Sequence, residues 1–419
     1  MSAFSPPGAL PPLDLSRWRK APNLLIAAGL ALCAVGALMD LKQFGYSWLV
    51  AFMCWLSLVL GAMFLVLMHH LFDAGWSVQI RRFCEHLACL AWPWMALFFV
   101  PIALLAPKIY RWMSVDPRLD HALRAKWPLF TKPGFYLAAV LCFATWWLIS
   151  SRLRYWSLKQ DADGAAHCTH RMRFHSAWGI VAFGFSLTLA AIMWMNGLQY
   201  EWYSTMYGVY YFAGCAWVAL AAAYVIAMVL DQQGLIRGLM GEQQYYYLGS
   251  LLFAFTVFSA YIHFSQYFVI WNGNIPEETF WYVLREKGTW FAIGLVLVFG
   301  HFLVPFLALL RIDVKRVFRF MVPLCLWIGL MEYFDLSFNI TPVLHPNGFP
   351  LRWVWLDAGC VALMGGVLAK AFLRDLHRHP PFPLKDPRLC EAAGLPHVAA
   401  FQAAGAGLAA GASARGGAR

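Results

Sequence analysis

Apolar runs of bilayer-crossing length recur along most of this sequence, and no other feature restricts its fold as much. They lie near residues 22–39, 46–71, 81–106, 133–153, 175–198, 203–230, 246–271, 288–311, 317–340 and 352–373. A helix needs ~20 predominantly apolar residues to cross the hydrocarbon layer. The spacing therefore predicts ten transmembrane helices in an all-α integral membrane protein. Composition agrees, because only 13% of the residues are charged and 61% are hydrophobic, whereas a soluble domain carries ~25% charged residues.

The ends and the loops then set the topology. Residues 1–21 are polar and Pro-rich and finish with Arg17, Arg19 and Lys20 ahead of the first apolar run. A basic stretch before an apolar one imitates a secretory signal, but this run is long for a signal core and nine further runs follow, so a retained first helix is expected. The net charge of +11 does not indicate nucleic acid, since the basic residues are scattered between apolar runs with no basic domain. Of the 32 Lys and Arg residues, 22 fall on the side of the termini and 10 on the other. The positive-inside rule places both termini in the cytoplasm and turns the loops at 107–132, 272–287 and 341–351 outward. The expected organisation is a cytoplasmic segment 1–21, a membrane domain 22–375, and a largely disordered cytoplasmic Pro/Ala/Gly-rich tail 376–419. Helices two and six open with similar patterns of aromatic and small residues, which suggests two four-helix bundles flanked by a first and a last helix.

The stretch from Leu248 to Arg285 is the most informative. Its first part is long and apolar enough to span a membrane, yet Thr256, Ser259, His263 and Gln266 recur at helical spacing and form one polar stripe. Such a stripe needs a protein or water partner. Asn272-Gly273-Asn274 then ends the helix, and Pro276, Glu277 and Glu278 open a new one. This outward loop is expected to dock a periplasmic partner through Glu277 and Glu278.

Ionisable side chains inside a bilayer cost ~2.5–3.5 kcal/mol on insertion scales, so each is a functional candidate. By depth they form a series: His69, His70, Arg81, Arg82, Glu85, His86 and His175 near the cytoplasmic ends, His263 and His301 near the middle, and Glu332, Asp335 and Asp357 toward the outer side. Such a series suits proton passage. Plainer accounts exist for several. Arg81 with Glu85, and Arg82 with His86, are four apart and can pair locally, and His69 and His70 at a helix end would be interfacial and wet. Glu332, Asp335 and Asn339 share a helical face. His263 and His301 also raise a b-type haem, which would need axial ligands on facing helices. The ten cysteines contain no CxxC or CxxCH, so iron-sulfur ligation, covalent haem attachment and a disulfide framework are disfavoured, and no metal is expected.

In order along the chain, WLSLVLGAMFLVLMHHLFDAGWSVQIRR (55–82), EWYSTMYGVYYFAG (201–214), LGSLLFAFTVFSAYIHFSQYFVIWNGNIPEET (248–279), HFLVPFLALL with VKR (301–316), the Asp335–His345 region and PLKDPRLCEA (383–392) resemble a known family. It is the F-type membrane subunit of alternative complex III, a bacterial quinol:cytochrome c oxidoreductase, within the wider NrfD-like (polysulfide-reductase) membrane subunits. The resemblance implies ten helices in two four-helix bundles, no redox cofactor of its own, and a quinone or menaquinone at a shared site. It also implies a bacterial inner-membrane location beside a homologous NrfD-like subunit and periplasmic iron-sulfur and haem c subunits. His69 and His70 match the family's paired histidines, and Asp335 an acidic position of its ninth helix. Met193 and Gln199 stand where aspartates are expected, and Tyr246-Tyr247 where His-Asp is usual, which marks a divergent branch.

Two other readings compete: a purely structural scaffold of such a complex or an anchor of another NrfD-type oxidoreductase, and a transporter. A transporter would favour paired Gly/Pro interruptions at matching places in two halves, and no such pair is visible.

Overall fold

The structure, a computed structural model, describes residues 20–236 and 239–392, without the side chains of 390–392. Residues 1–19 and 393–419, which hold most of the expected N-terminal segment and tail, lie outside the described residues. Among the described residues no β-strand occurs, and ten helical spans are long and apolar enough to cross a membrane. In order, the spans are Ala21–Met39, Leu41–Leu71, Gly75–Ile109, Lys132–Asp163, Ala166–Gln199, Tyr207–Gln232, Glu242–Gly273, Thr289–Leu310, Phe318–Val343 and Leu351–Arg378.

Local chemistry sets their ends. The Asp40 carboxylate accepts the backbone N–H groups of Lys42 and Gln43 at 2.9 and 3.0 Å and starts the second span. Thr131 caps the fourth span in the same way through Gly134 N–H. Asn274, left-handed at φ 46°, ends the seventh span, and Pro276 opens a ten-residue helix, Pro276–Arg285, with Glu277 and Glu278 in its first turn. The third span opens with a 3-10 turn at Gly75–Ser77 and is interrupted by another at Cys89–Ala91.

Spans two to five close one four-helix bundle and spans six to nine a second, joined where the second span packs against the sixth. The first and last spans pack along each other and against the second. Small residues make these approaches possible. A Cβ on Gly61 would stand 1.9 Å from the Cys215 carbonyl oxygen of the sixth span, and one on Gly29 would stand 2.5 Å from Leu363 N of the tenth.

Ten antiparallel spans return both ends of the helical domain to one face, called here the terminal face. The opposite face carries the segments between spans three and four, seven and eight, and nine and ten. On the terminal face the first described residues of the expected tail, those after Arg378, fold back onto the helices. Phe382, Asp386, Arg388 and Leu389 are buried against the loop between spans two and three and the end of span four.

Candidate functional site

In the second bundle, span nine turns Glu332, Asp335 and Asn339 toward span six, as their spacing predicts. Asn339 Nδ2 donates to Tyr210 Oη at 3.0 Å, and Tyr207 donates to Asn339 Oδ1 at 3.0 Å. Tyr210 also donates to Asp335 Oδ1. Glu332 lies over Gly214, where a Cβ would come within 2.8 Å of both carboxylate oxygens.

The polar stripe of span seven meets this surface. Trp217 of span six donates to Thr256 Oγ1 at 2.8 Å, and Gln266 accepts from Ser204 at 3.1 Å. Between them, His263 Nε2 stands 3.1 Å from Asp335 Oδ1, and its Nδ1 is 2.6 Å from the Ser259 carbonyl oxygen. A carbonyl only accepts, so Nδ1 carries a hydrogen, and contact between Nε2 and a carboxylate oxygen then requires a proton shared by the pair. One proton therefore lies between His263 Nε2 and Asp335 Oδ1.

Span eight contributes His301 through a widened π-helical turn, Leu297–Leu303, a distortion common at functional sites. The His301 ring packs on Trp217 with centroids 4.1 Å apart and on His263 at 5.3 Å, and its Nε2 is buried without a partner. Rings this close, with His263 Nε2 already on Asp335, do not fit either side of one haem.

These groups back a cavity of about 490 Å³ between spans seven and eight, within the size range of small-molecule sites. His263, His301 and Tyr210 form its polar wall; Phe264, Phe291, Leu295, Val298 and Phe302 line its apolar body. The helix Pro276–Arg285 closes the end nearest the surface with Trp281, Tyr282 and Arg285. Arg285 is buried and spends its donors on the carbonyls of Phe338 (2.7 Å), Asn339 (2.8 Å) and Trp281 (2.9 Å) and on Gln199 (3.2 Å), so it caps the C-terminal end of span nine. Burial pulls its guanidinium down to about 9. The stretch read as an outward docking loop is therefore also a wall of the cavity. Glu277 is exposed, while Glu278 is half-buried, its carbonyl accepting from Trp202 at 3.0 Å.

Asp357 stands apart from this cluster, accepting from Tyr333 at 2.6 Å. On the terminal face, Arg81 joins Glu85 at 3.0 Å as expected but also binds Asp386 and Ser157. The expected Arg82–His86 pair does not form. Arg82 binds Asp161, and His86 Nδ1 accepts from Arg154 at 2.5 Å, because the fourth span supplies partners that spacing within one helix cannot reveal. His69 and His70 are not interfacial: both are buried, His69 on Ser77 at 2.8 Å and His70 with neither ring nitrogen bonded to protein. The returning tail covers them, with Arg388 bridging Asp386 and Asp73. Two arginines beside Asp386 outweigh its burial and hold its carboxyl down at about 2. His175 lies away from this cluster, its Nδ1 accepting from Trp178 at 3.2 Å and its ring against Phe174.

Sequence reasoning missed Tyr207, Tyr210, Trp217, Arg285, Asp161, Asp386 and Arg388 as site residues. The signal for the tyrosines was their three-residue spacing on a span that must face polar partners. Among the described residues, no group of three or more His, Cys, Asp or Glu is placed to hold a metal ion. No family model and no curated protein matches this chain.

Proposed function

We propose that this chain is an integral membrane subunit of a bacterial quinol:cytochrome c oxidoreductase of the alternative complex III type, and that quinol occupies the cavity between spans seven and eight. The observation that carries this reading is a largely apolar cavity of about 490 Å³ backed by the His263–Asp335 pair and the unpartnered nitrogen of His301. Oxidising a quinol to a quinone releases two electrons and two protons. Partner iron-sulfur and haem c subunits, docked near Glu277 and the helix Pro276–Arg285, would take the electrons. The protons need acceptors within hydrogen-bond reach of the hydroxyls, and His263 and His301 offer ring nitrogens there. A pair that already holds one proton can release it outward and take the next from the ligand. In this reading the basic terminal face is cytoplasmic, the cavity lies toward the periplasm, and a homologous membrane subunit completes the assembly.

A scaffold would also satisfy its polar groups, but it has no use for a cavity at that place. Asp335→Asn separates the two, because the amide keeps size and some hydrogen bonding. The assembled complex, with normal haem content, is expected to lose on the order of 100-fold in quinol:cytochrome c turnover or to shift its pH profile. Unchanged turnover across a pH series in an intact complex would reduce the subunit to a scaffold.

A further inference from the structure

A second cavity, of about 470 Å³, lies on the other side of span nine, where the two bundles and the last span meet. Its lining is apolar apart from Cys54, Tyr333 and Glu332, and its mouth at Gly329, Leu330 and Ala358 is on the outer surface of spans nine and ten. Leu330 is 46% exposed there, whereas Glu332 is 2% exposed and its Oε2 has no hydrogen-bond partner. Among the described residues no Lys, Arg or His pairs with Glu332. The ionisable groups that face it are Cys54 from span two, Tyr211 and Cys215 from span six and Asp335 on its own span, with Asp357 of span ten beyond Cys54. All are acids, so none favours a carboxylate at this depth, and the one group that does, the neutral Ser57 hydroxyl on the other carboxyl oxygen, brings no charge.

We propose that Glu332 is a second protonic site of the membrane domain, a neutral carboxylic acid presented to an intramembrane cleft, and that the cleft admits small apolar acid-directed reagents of the carbodiimide class. The chemistry is balanced. The carboxyl proton passes to a carbodiimide nitrogen and the carboxylate oxygen adds to the central carbon, giving an O-acylisourea. Acyl transfer to nitrogen then leaves a stable N-acylurea, with nothing oxidised, reduced or expelled. A carboxylate paired with a cation would not supply that proton. The site is independent of whether quinol binds next to Asp335, because its readout is a covalent adduct.

The test is to treat membranes containing the full chain with dicyclohexylcarbodiimide or with a water-soluble carbodiimide, and to map adducts by peptide mass spectrometry. The expected result is an adduct on Glu332 with the apolar reagent, at least several-fold above that with the soluble one and above that on Asp335 or Asp357. The signal should vanish in Glu332→Gln and persist in Asp335→Asn. If Glu332 stays unmodified while the chain remains folded by thermal melting, or is labelled equally by the soluble reagent, the proposal is overturned. Labelling that disappears only in Asp335→Asn would likewise overturn it, by placing the reactive acid in the first cavity.

Discussion

His263 shows how little separates a packing residue from a chemical one. Its Nδ1 is held by a carbonyl one turn back on its own helix, which fixes the ring and aims Nε2 at Asp335. Tyr210 completes the arrangement by donating to the same carboxylate oxygen while accepting from Asn339. Removing that hydroxyl in Tyr210→Phe leaves the ring packing intact and costs about 1–3 kcal/mol for the unsatisfied buried partners. The variant should therefore fold, with Tm lowered modestly, and should lose turnover or shift its pH dependence. Wild-type turnover in a destabilised Tyr210→Phe complex would confine the hydroxyl to packing. The polar stripe of span seven and the acidic face of span nine were legible in the sequence because 3.6-residue periodicity shows which side chains share a face. Which face of another helix they meet was not legible. For that reason Tyr207 and Tyr210 were missed, and Arg82 was assigned to His86 instead of Asp161.

Among the elements, two contacts can be tested singly: that of the second span with the sixth, and that of the returning tail with the terminal face. Gly61→Ala would drive a methyl group into the Cys215 carbonyl, and backbone yields little, so a loss of about 1–3 kcal/mol is expected from overpacking. A thermal melt in detergent reads it, and an unchanged Tm would show that the two bundles separate more easily than their packing implies. The tail is held by charge as well as by the buried Phe382 and Leu389. Asp386 sits at about 2 in the folded chain against an ordinary 3.8, so its contribution is fully present above pH ~4 and is lost as pH falls toward 2. Proteolysis at Lys385 and Arg388 should accordingly be slow and flat between pH 5 and 8. Asp386→Ala, which leaves Arg81 and Arg388 facing an empty site, should make both bonds cleavable at neutral pH. Equal cleavage of both forms would mean the tail is not held by these contacts. The composition of 376–419 hid this docking, because a Pro-rich, weakly apolar segment gives no periodic signal even where single residues are buried.

At the scale of the whole molecule, ten spans and the two-bundle arrangement follow from the length, number and similarity of the apolar runs. The places where cavities open do not, since they depend on helix crossings and on the π-helical turn around His301. The uneven distribution of basic residues predicts a cytoplasmic terminal face, so a reporter active only in the periplasm should stay silent when fused after Arg378. An active fusion there would invert the topology and place the first cavity near the cytoplasm. The central claim is that quinol binds between spans seven and eight against His263. A photoreactive quinone analogue irradiated in the assembled complex and mapped by peptide mass spectrometry tests it most directly. The account predicts crosslinks within 260–267 and 291–302 that excess quinol suppresses, whereas suppressible crosslinks confined to another subunit, or to other spans of this one, would contradict it.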